Sequence, residues 1–394
     1  MDGRTLPPDY LDRYSGATSK YPHLCPTDVP KTPETPVAPV SESLERNPDT
    51  PWYNPRGWSS RKKLISTCAI IVVIVVVIVG AVEGVKANRY PNYSPLKYQL
   101  KDTYAGPSFF EQFNYFTEQD PTNGFVVYVN EKAATKLNLT YATDTSAILR
   151  VDSSTPNAIG GRKSVRIESK KAYDMGLFIF DIIHTPHGCG TWPALWMTDG
   201  AIWPANGEID ILESTNEGSH GNEISLHTTP GCNMNVKRKE TGHPLYDTCD
   251  NSTNGNAGCS VVGNPDTYGA ALNKIGGGIY ALEIRNAGIR TWFFPRDSIP
   301  ADITESTGTP DPSTWGIALA DFPSTECNIP SHFRNQNIIA NIDLCGELAA
   351  QPQYYDQMYN CPSTCTDYVA QNPTAFADAF WEFGSFKVYQ AVSG

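Results

Sequence analysis

Nineteen consecutive residues, Leu64 to Val82, carry no charge (LISTCAIIVVIVVVIVGAV). As a helix rising about 1.5 Å per residue, the run is roughly 28 Å long, the thickness of a bilayer's hydrocarbon core. A core element of a soluble domain and a cleaved signal peptide are the competing readings. A soluble core element rarely runs so long without a polar face. A signal peptide sits at the N-terminus and has a shorter apolar stretch. The run is therefore read as one membrane span, and it divides the 394-residue chain into regions of unlike chemistry.

Residues 1–60 hold 11 of the 31 prolines and show no hydrophobic period, as in Thr32-Pro33-Glu34-Thr35-Pro36. Proline removes backbone donors and fixes φ, so a disordered tail is expected over 1–63. The span follows at 64–82, a juxtamembrane linker at 83–103 and a folded domain at 104–394. Arg61-Lys62-Lys63 abuts the span on its N-terminal side, which favours a cytosolic tail. Two further signals point the same way. Eight of the ten cysteines (189, 232, 249, 259, 327, 345, 361 and 365) lie beyond the span, an even number that reads as disulfides outside the cytosol. So do the three N-x-Ser/Thr sequons, at Asn92, Asn138 and Asn251, the expected glycosylation sites. The expected layout is a single-pass type II membrane protein facing the cell exterior. Pairing of the eight cysteines stays open, with 105 combinations allowed.

Charge and composition restrict the outer region further. Residues 1–63 carry nine basic and eight acidic residues, net +1, while the rest of the chain is net −13. An acidic domain is a poor binder of nucleic acid or anionic lipid, and neutral ligands stay open. Short apolar or alternating runs recur between turn signals: 125–129, 147–151, 164–169, 175–184, 192–197, 208–212, 224–228, 279–285, 289–294, 338–342 and 383–390. The last two hairpin-like runs before residue 300 are joined by Asn286-Ala287-Gly288. One short helix, interrupted at Pro373, is expected within 366–381. Residues 232–278, rich in Gly, Asn and Cys, read as a long disulfide-pinned loop. These features predict an all-β fold, a two-sheet sandwich of jelly-roll type.

Chemistry concentrates in Gly207-Glu208-Ile209-Asp210-Ile211-Leu212-Glu213. The intervening Ile, Ile and Leu are strand formers that seek burial. On a regular strand Glu208 and Asp210 share a face and Glu213 points away. A β-bulge between Asp210 and Glu213 restores the phase and puts all three acids on one face. Glu208 and Glu213 are then roughly 13 Å apart at Cα. Inward-leaning side chains can bring their carboxyls to about 5 Å, the separation of retaining glycoside hydrolysis. Asp210 between them would hold their pKa values apart. A solvated acidic face or a Ca²⁺ site is the alternative. The aromatics nearby favour the first reading. Trp192, Trp196 and Trp203 lie within 16 residues of Glu208, and flat indoles suit the C–H faces of sugar rings. His227, on the next strand-like run, can be brought beside the acids by an antiparallel neighbour.

At these residues the chain resembles glycoside hydrolase family 16, in its fungal laminarinase-type endo-β-1,3(4)-glucanases. The resemblance rests on Glu208-Ile-Asp-Ile-Leu-Glu213, Gly188-Cys-Gly-Thr-Trp-Pro-Ala-Leu-Trp196, Trp203-Pro-Ala-Asn-Gly-Glu208, Leu226-His-Thr228, Trp292-Phe-Phe-Pro-Arg296 and Asp367-Tyr-Val-Ala-Gln-Asn-Pro373, in order over 104–391. It implies a concanavalin-like jelly roll with an open cleft, and endo-hydrolysis of β-1,3- or mixed β-1,3/1,4-glucan with retention. It implies Glu208 as nucleophile, Glu213 as acid/base and Asp210 as assisting acid. Trp203, His227 and Trp381 would line the subsites, with Trp192 a further candidate. No metal or other cofactor is implied for the chemistry, and a monomer is expected. Secreted members carry a signal peptide where this chain has a tail and a span, a layout similar to type II membrane proteins of fungal wall assembly.

Overall fold

A computed structural model of the chain describes residues 55–87, 89–304 and 308–392. The expected disordered tail lies outside the described residues as far as position 54. The apolar run and the β-rich region belong to separate compact units.

The apolar run is helical. Helix α1 (Ser60–Ala87) takes in the basic triplet as well as the expected span, and the Ser59 hydroxyl accepts from the Lys62 amide at its start. Its Ile and Val side chains are about half exposed or more. Val and Ile are modest helix formers in water. In lipid, a segment must pair every backbone group internally, and helix is the solution. By length and composition Ser60–Val82 is fit to cross a membrane, at a mean hydropathy of 3.1, and no other helix among the described residues is.

The remaining chain alternates short strands and turns. In order these are β1 (Lys97–Ala105), β2 (Phe113–Tyr115), β3 (Val126–Tyr128), β4 (Thr140–Ala142), β5 (Ala147–Arg150) and β6 (Arg162–Ser164). Then come β7 (Arg166–Tyr173), β8 (Gly176–His184), β9 (Thr191–Thr198), β10 (Glu208–Glu213), β11 (Glu223–His227) and β12 (His243–Tyr246). The last are β13 (Cys259–Val262), β14 (Gly278–Arg285), β15 (Gly288–Pro295), β16 (Ala320–Pro323), β17 (Gln336–Leu344) and β18 (Phe380–Val392). Every run expected to be a strand overlaps one.

Two eight-stranded sheets result. The front sheet runs β12-β13-β11-β10-β9-β17-β7-β2. The back sheet runs β16-β15-β14-β8-β18-β5-β4, with β1 paired to β18. Neighbours distant in sequence, such as β9 with β17, mark the crossovers of a jelly-roll sandwich. The inner faces meet in one core. Leu195, Met197, Ile209, Ile211, Leu212, Ile224 and Leu226 come from the front, and Phe178, Phe180, Tyr280, Leu282, Phe383 and Phe386 from the back. Leu177, Ile179, Ile279, Ala281 and Trp292 form a second cluster with Ile303 and Trp315. That explains why 175–184 is nearly all apolar: the back sheet is covered on both faces.

Two segments differ from expectation. Residues 97–103, read as linker, form most of β1, and the preceding stretch is also pinned to the back sheet. Tyr90 and Tyr93 donate to Asp321 at 3.0 and 3.2 Å, and Arg285 donates to the Ser94 carbonyl. Residues 232–278, read as a loop, contain β12 and β13, which complete one edge of the front sheet. All eight cysteines beyond the span are paired: Cys189–Cys361, Cys232–Cys327, Cys249–Cys259 and Cys345–Cys365. The expected helix is present as α2 (Cys365–Gln371), followed by a 3₁₀ turn at Pro373–Phe376.

Candidate active site

Strand β10 carries the three acids, and its pairing shows the bulge. Against β11, Glu208 faces His227 and Asp210 faces Ser225, then the register shifts and Glu213 faces Glu223. Against β9 the shift falls between Asp210 and Leu212. Ile211 and Leu212 are consecutive, yet both are fully buried in the core. Burying each contributes about 1.5–3 kcal/mol, so the bulge is the register in which the core keeps both and Glu213 stays out. Asn222 closes it. The Glu213 amide donates to Asn222 Oδ1 at 2.9 Å, and Asn222 Nδ2 donates to the Ile211 carbonyl at 2.7 Å. These two bonds satisfy backbone groups that the bulge takes out of the ladder. Gly207, just before the strand, sits at φ +73°, and a Cβ there would lie 2.4 Å from the His332 carbonyl oxygen. Only glycine fits this approach.

Each glutamate receives an indole N–H. Trp203 Nε1 donates to Glu208 Oε2 at 2.5 Å, and Trp192 Nε1 donates to Glu213 Oε1 at 2.7 Å. Trp203 is 41% exposed, so its ring also presents a free face. Asp210 is buried between them. Its Oδ2 accepts from Ser225 Oγ at 2.7 Å and lies 3.2 Å from His227 Nε2. His227 Nδ1 meets Asn256 Oδ1 at 3.1 Å.

The electrostatics disfavour ionisation of both glutamates. Burial and the Asp210 charge push Glu208 up to about 8, against the pull of His227 and the Trp203 N–H. Burial and Asp210 also raise Glu213 well above the usual carboxylate range, and Glu223 adds to the rise. Burial works against a charged His227, but the hydrogen bond and charge of Asp210 raise it to about 10. The resting site thus pairs a cationic His227 with Asp210. Both glutamates are carboxyls that burial and neighbouring acids incline to hold a proton. Donor atoms of Glu208, Asp210 and His227 lie within 4.8 Å of one another, close enough for a cation by distance alone. A protonated imidazole is a hydrogen-bond donor and not a ligand, so this set fits acid/base work better than metal binding.

The face continues past the acids through Trp196 and through Asn341, Tyr128, Arg166 and Phe116, which the sequence did not single out. Trp196 Nε1 donates to Asn341 Oδ1 at 2.8 Å, and Asn341 Nδ2 donates to Tyr128 at 3.2 Å. The Arg166 guanidinium lies 5.0 Å from the Trp196 ring centroid and 4.4 Å from that of Phe116. Each is a lone residue in its own segment, and only strand register brings them together. Trp381 is different. It is fully buried, donates to the Asn341 carbonyl at 3.0 Å and stacks on Phe383. It supports the sheet from beneath and offers no surface to a sugar, which corrects its expected role as a subsite wall. Of the sequon residues, Asn92 and Asn138 are exposed and Asn251 is half-buried.

The chain matches the XgeA-like catalytic domain family of glycoside hydrolase family 16 over residues 113–389. It is 43% identical over 308 residues to a protein of Schizosaccharomyces pombe called a probable glycosidase, covering 77% of this chain and 72% of that one. Endo-1,3(4)-beta-glucanase xgeA of Emericella nidulans is 39% identical over 310 residues, 76% of this chain. The chain spans about half the length of that relative, 48%. Among solved structures, Laminarinase 16A from Phanerochaete chrysosporium, with β-glucans in its donor and acceptor sites, is 43% identical. It superposes with a TM-score of 0.72 over 75% of this chain and all of that one. An elongating family 16 β-1,3-glucosyltransferase is 38% identical with a TM-score of 0.70, over 74% of this chain and all of that one. The match runs from β2 into β18 and encloses the bulged acidic strand, so the chain belongs to glycoside hydrolase family 16.

Proposed function

We propose that this chain is a membrane-anchored endo-β-1,3(4)-glucanase that works by retaining double displacement. The observation that carries the reading is the bulged strand itself, which turns Glu208, Asp210 and Glu213 to one open face. Glu208 attacks the anomeric carbon and forms a glycosyl-enzyme, while Glu213 gives its proton to the departing oxygen. Glu213 then takes a proton from water, which releases the sugar. Asp210 and its partner His227 hold Glu208 in place and keep the two carboxyls on different protonation levels. The indole N–H groups of Trp203 and Trp192 aim the two acids, and the exposed face of Trp203 is the platform for a glucose ring.

The folded domain extends to the C-terminal strand and the helix at 64–82 is the anchor. The basic triplet before the helix supports a cytosolic N-terminus, and the paired cysteines and the sequons at Asn92, Asn138 and Asn251 support an exterior domain. A tethered glucanase suits remodelling of the cell's own wall. A second reading is transfer to a sugar acceptor in place of water, favoured by the likeness to the elongating glucosyltransferase.

The test is to incubate the detergent-solubilised chain with β-1,3-glucan, mixed β-1,3/1,4-glucan and β-1,6-glucan and size the products over time. Short oligosaccharides from the first two establish the endo-glucanase. Products longer than the starting chains establish transfer. Binding without products would overturn both.

A further inference from the structure

Glu223 is a fourth carboxylate at the site, outside the acidic motif. It opens β11, and its Cα partner across the strand pair is Glu213, at the position where the bulge ends. Ser225 and His227 follow on the same face at two-residue steps. Directly opposed residues place their Cβ atoms about 5 Å apart, and like charges there are unfavourable. Glu213 feels Asp210 on β10 and Glu223 and His227 on β11, and Glu223, itself raised by burial, feels His227 and Asp210. Tyr246 on β12 and Tyr268 and Tyr359 from the flanking segments are near enough to feel the two glutamates in turn. His227 is the one cation in that set, and it is engaged by Asp210. Among the described residues no lysine or arginine pairs with Glu223 or Glu213, although arginines meet carboxylates elsewhere in the fold.

We propose that Glu223 is a positioning residue for proton donation: its negative charge, directly across the strand from Glu213, keeps the proton on the Glu213 carboxyl until a glycosidic oxygen takes it. The geometry suits that division of labour. Glu213 is aimed by Trp192, whereas Glu223 stands level with Glu213 on the neighbouring strand. Over a full cycle the proton lost by Glu213 to the leaving oxygen returns from water, and Glu223 is unchanged. The charge of Glu223 therefore sets the pH at which acid catalysis is lost. Neutralising it stabilises the Glu213 carboxylate, so Glu213 gives up its proton at lower pH.

The proposal rests on the reading of Glu213 as acid/base, and the experiment separates the two. The pH dependence of kcat/KM is measured for the full chain in detergent on a laminari-oligosaccharide, with Glu223→Gln, Glu223→Ser and Glu223→Asp. Both neutral variants are expected to move the alkaline limb down by about one pH unit. The Asp variant keeps the charge and leaves the limb near its parental position. Glu223→Ser is the second neutral variant should Glu223→Gln not fold. A limb that stays in place in the neutral variants overturns the proposal. So does a rise in KM without movement of the limb, which would make Glu223 a substrate contact. Glu213→Ala, assayed on aryl glucosides of differing leaving-group ability, tests the underlying reading: no leaving-group dependence would remove Glu213 from the acid role, whatever Glu223 does.

Discussion

The sandwich buries two groups of acids and treats them in opposite ways. On the back sheet, Glu283 accepts from Tyr98 at 2.8 Å and pairs with Arg290 at 2.6 Å and Arg285 at 3.4 Å. Glu240 pairs with Arg238 at 2.9 Å. Asp321 takes the Tyr90 and Tyr93 hydroxyls and the Lys239 amide. On the front sheet, Glu208, Asp210, Glu213 and Glu223 gather around a single histidine. A buried carboxylate met by a guanidinium is a structural element, and removing one partner strands the other. Carboxylates crowded without arginine oppose ionisation, which costs stability and produces the displaced proton affinities that catalysis uses. The two groups thus differ in their counterions, arginines for Glu283 and Glu240 and one histidine for the four acids of the front sheet.

The largest effect should come from Glu208→Gln, which removes the proposed nucleophile. Turnover of β-1,3-glucan is expected to fall by about 10⁴–10⁶-fold, with the fold retained. A variant near parental turnover would end the nucleophile assignment. Next, Glu213→Ala should cost about 10²–10⁴-fold on glucan, and much less on an aryl glucoside that departs without protonation. Equal losses on both substrates would break the comparison on its acid side.

On the back sheet the pattern should invert. Arg290→Ala leaves Glu283 short of its closest cation and should destabilise the fold by about 3–5 kcal/mol, read by denaturant unfolding. The kcat/KM of the protein that remains folded should be unaltered. The smallest effect sharpens the contrast from the front. The folded-state value of Glu208 is raised to about 8 from 4.5. The folded form therefore holds a proton that the unfolded chain has released, and parental stability falls as pH rises between those values. The melting temperature of Glu208→Gln relative to the parent should climb from pH 5 to pH 8. A constant difference across that range would mean that Glu208 is not held protonated by the fold.

Much of this was legible in the sequence because period-two patterning and burial are local signals. The bulge is the clearest case: acids at 208, 210 and 213 around Ile and Leu make sense on one face only with an extra residue. The misses have physical causes. In β1, Lys97, Gln99 and Lys101 face solvent while Tyr98 and Tyr104 are buried, so the few inward aromatics are hidden among polar residues. In β12 and β13, turn-forming Gly and Asn on either side mask two four-residue strands. Asn222 and Glu223 enter the site through the register of β11 on β10, and Asn341 and Arg166 through strands far apart in sequence, neither of which composition encodes. Trp381 is expected at a subsite from the resemblance, but its indole is fully buried.

The pairing of β1 with β18 sets Lys97 opposite Val392. Opposed strand residues are about 5 Å apart at Cα, so the sandwich begins and ends at one place on its back sheet. A short loop could join these ends and allow a circular permutant opened at another turn. By the same geometry, a tag carried after Val392 emerges beside the entry of the chain and on the opposite sheet from the acids. The polysaccharide face stays clear of both ends of the domain, and reporters can be attached there without obstructing the cleft.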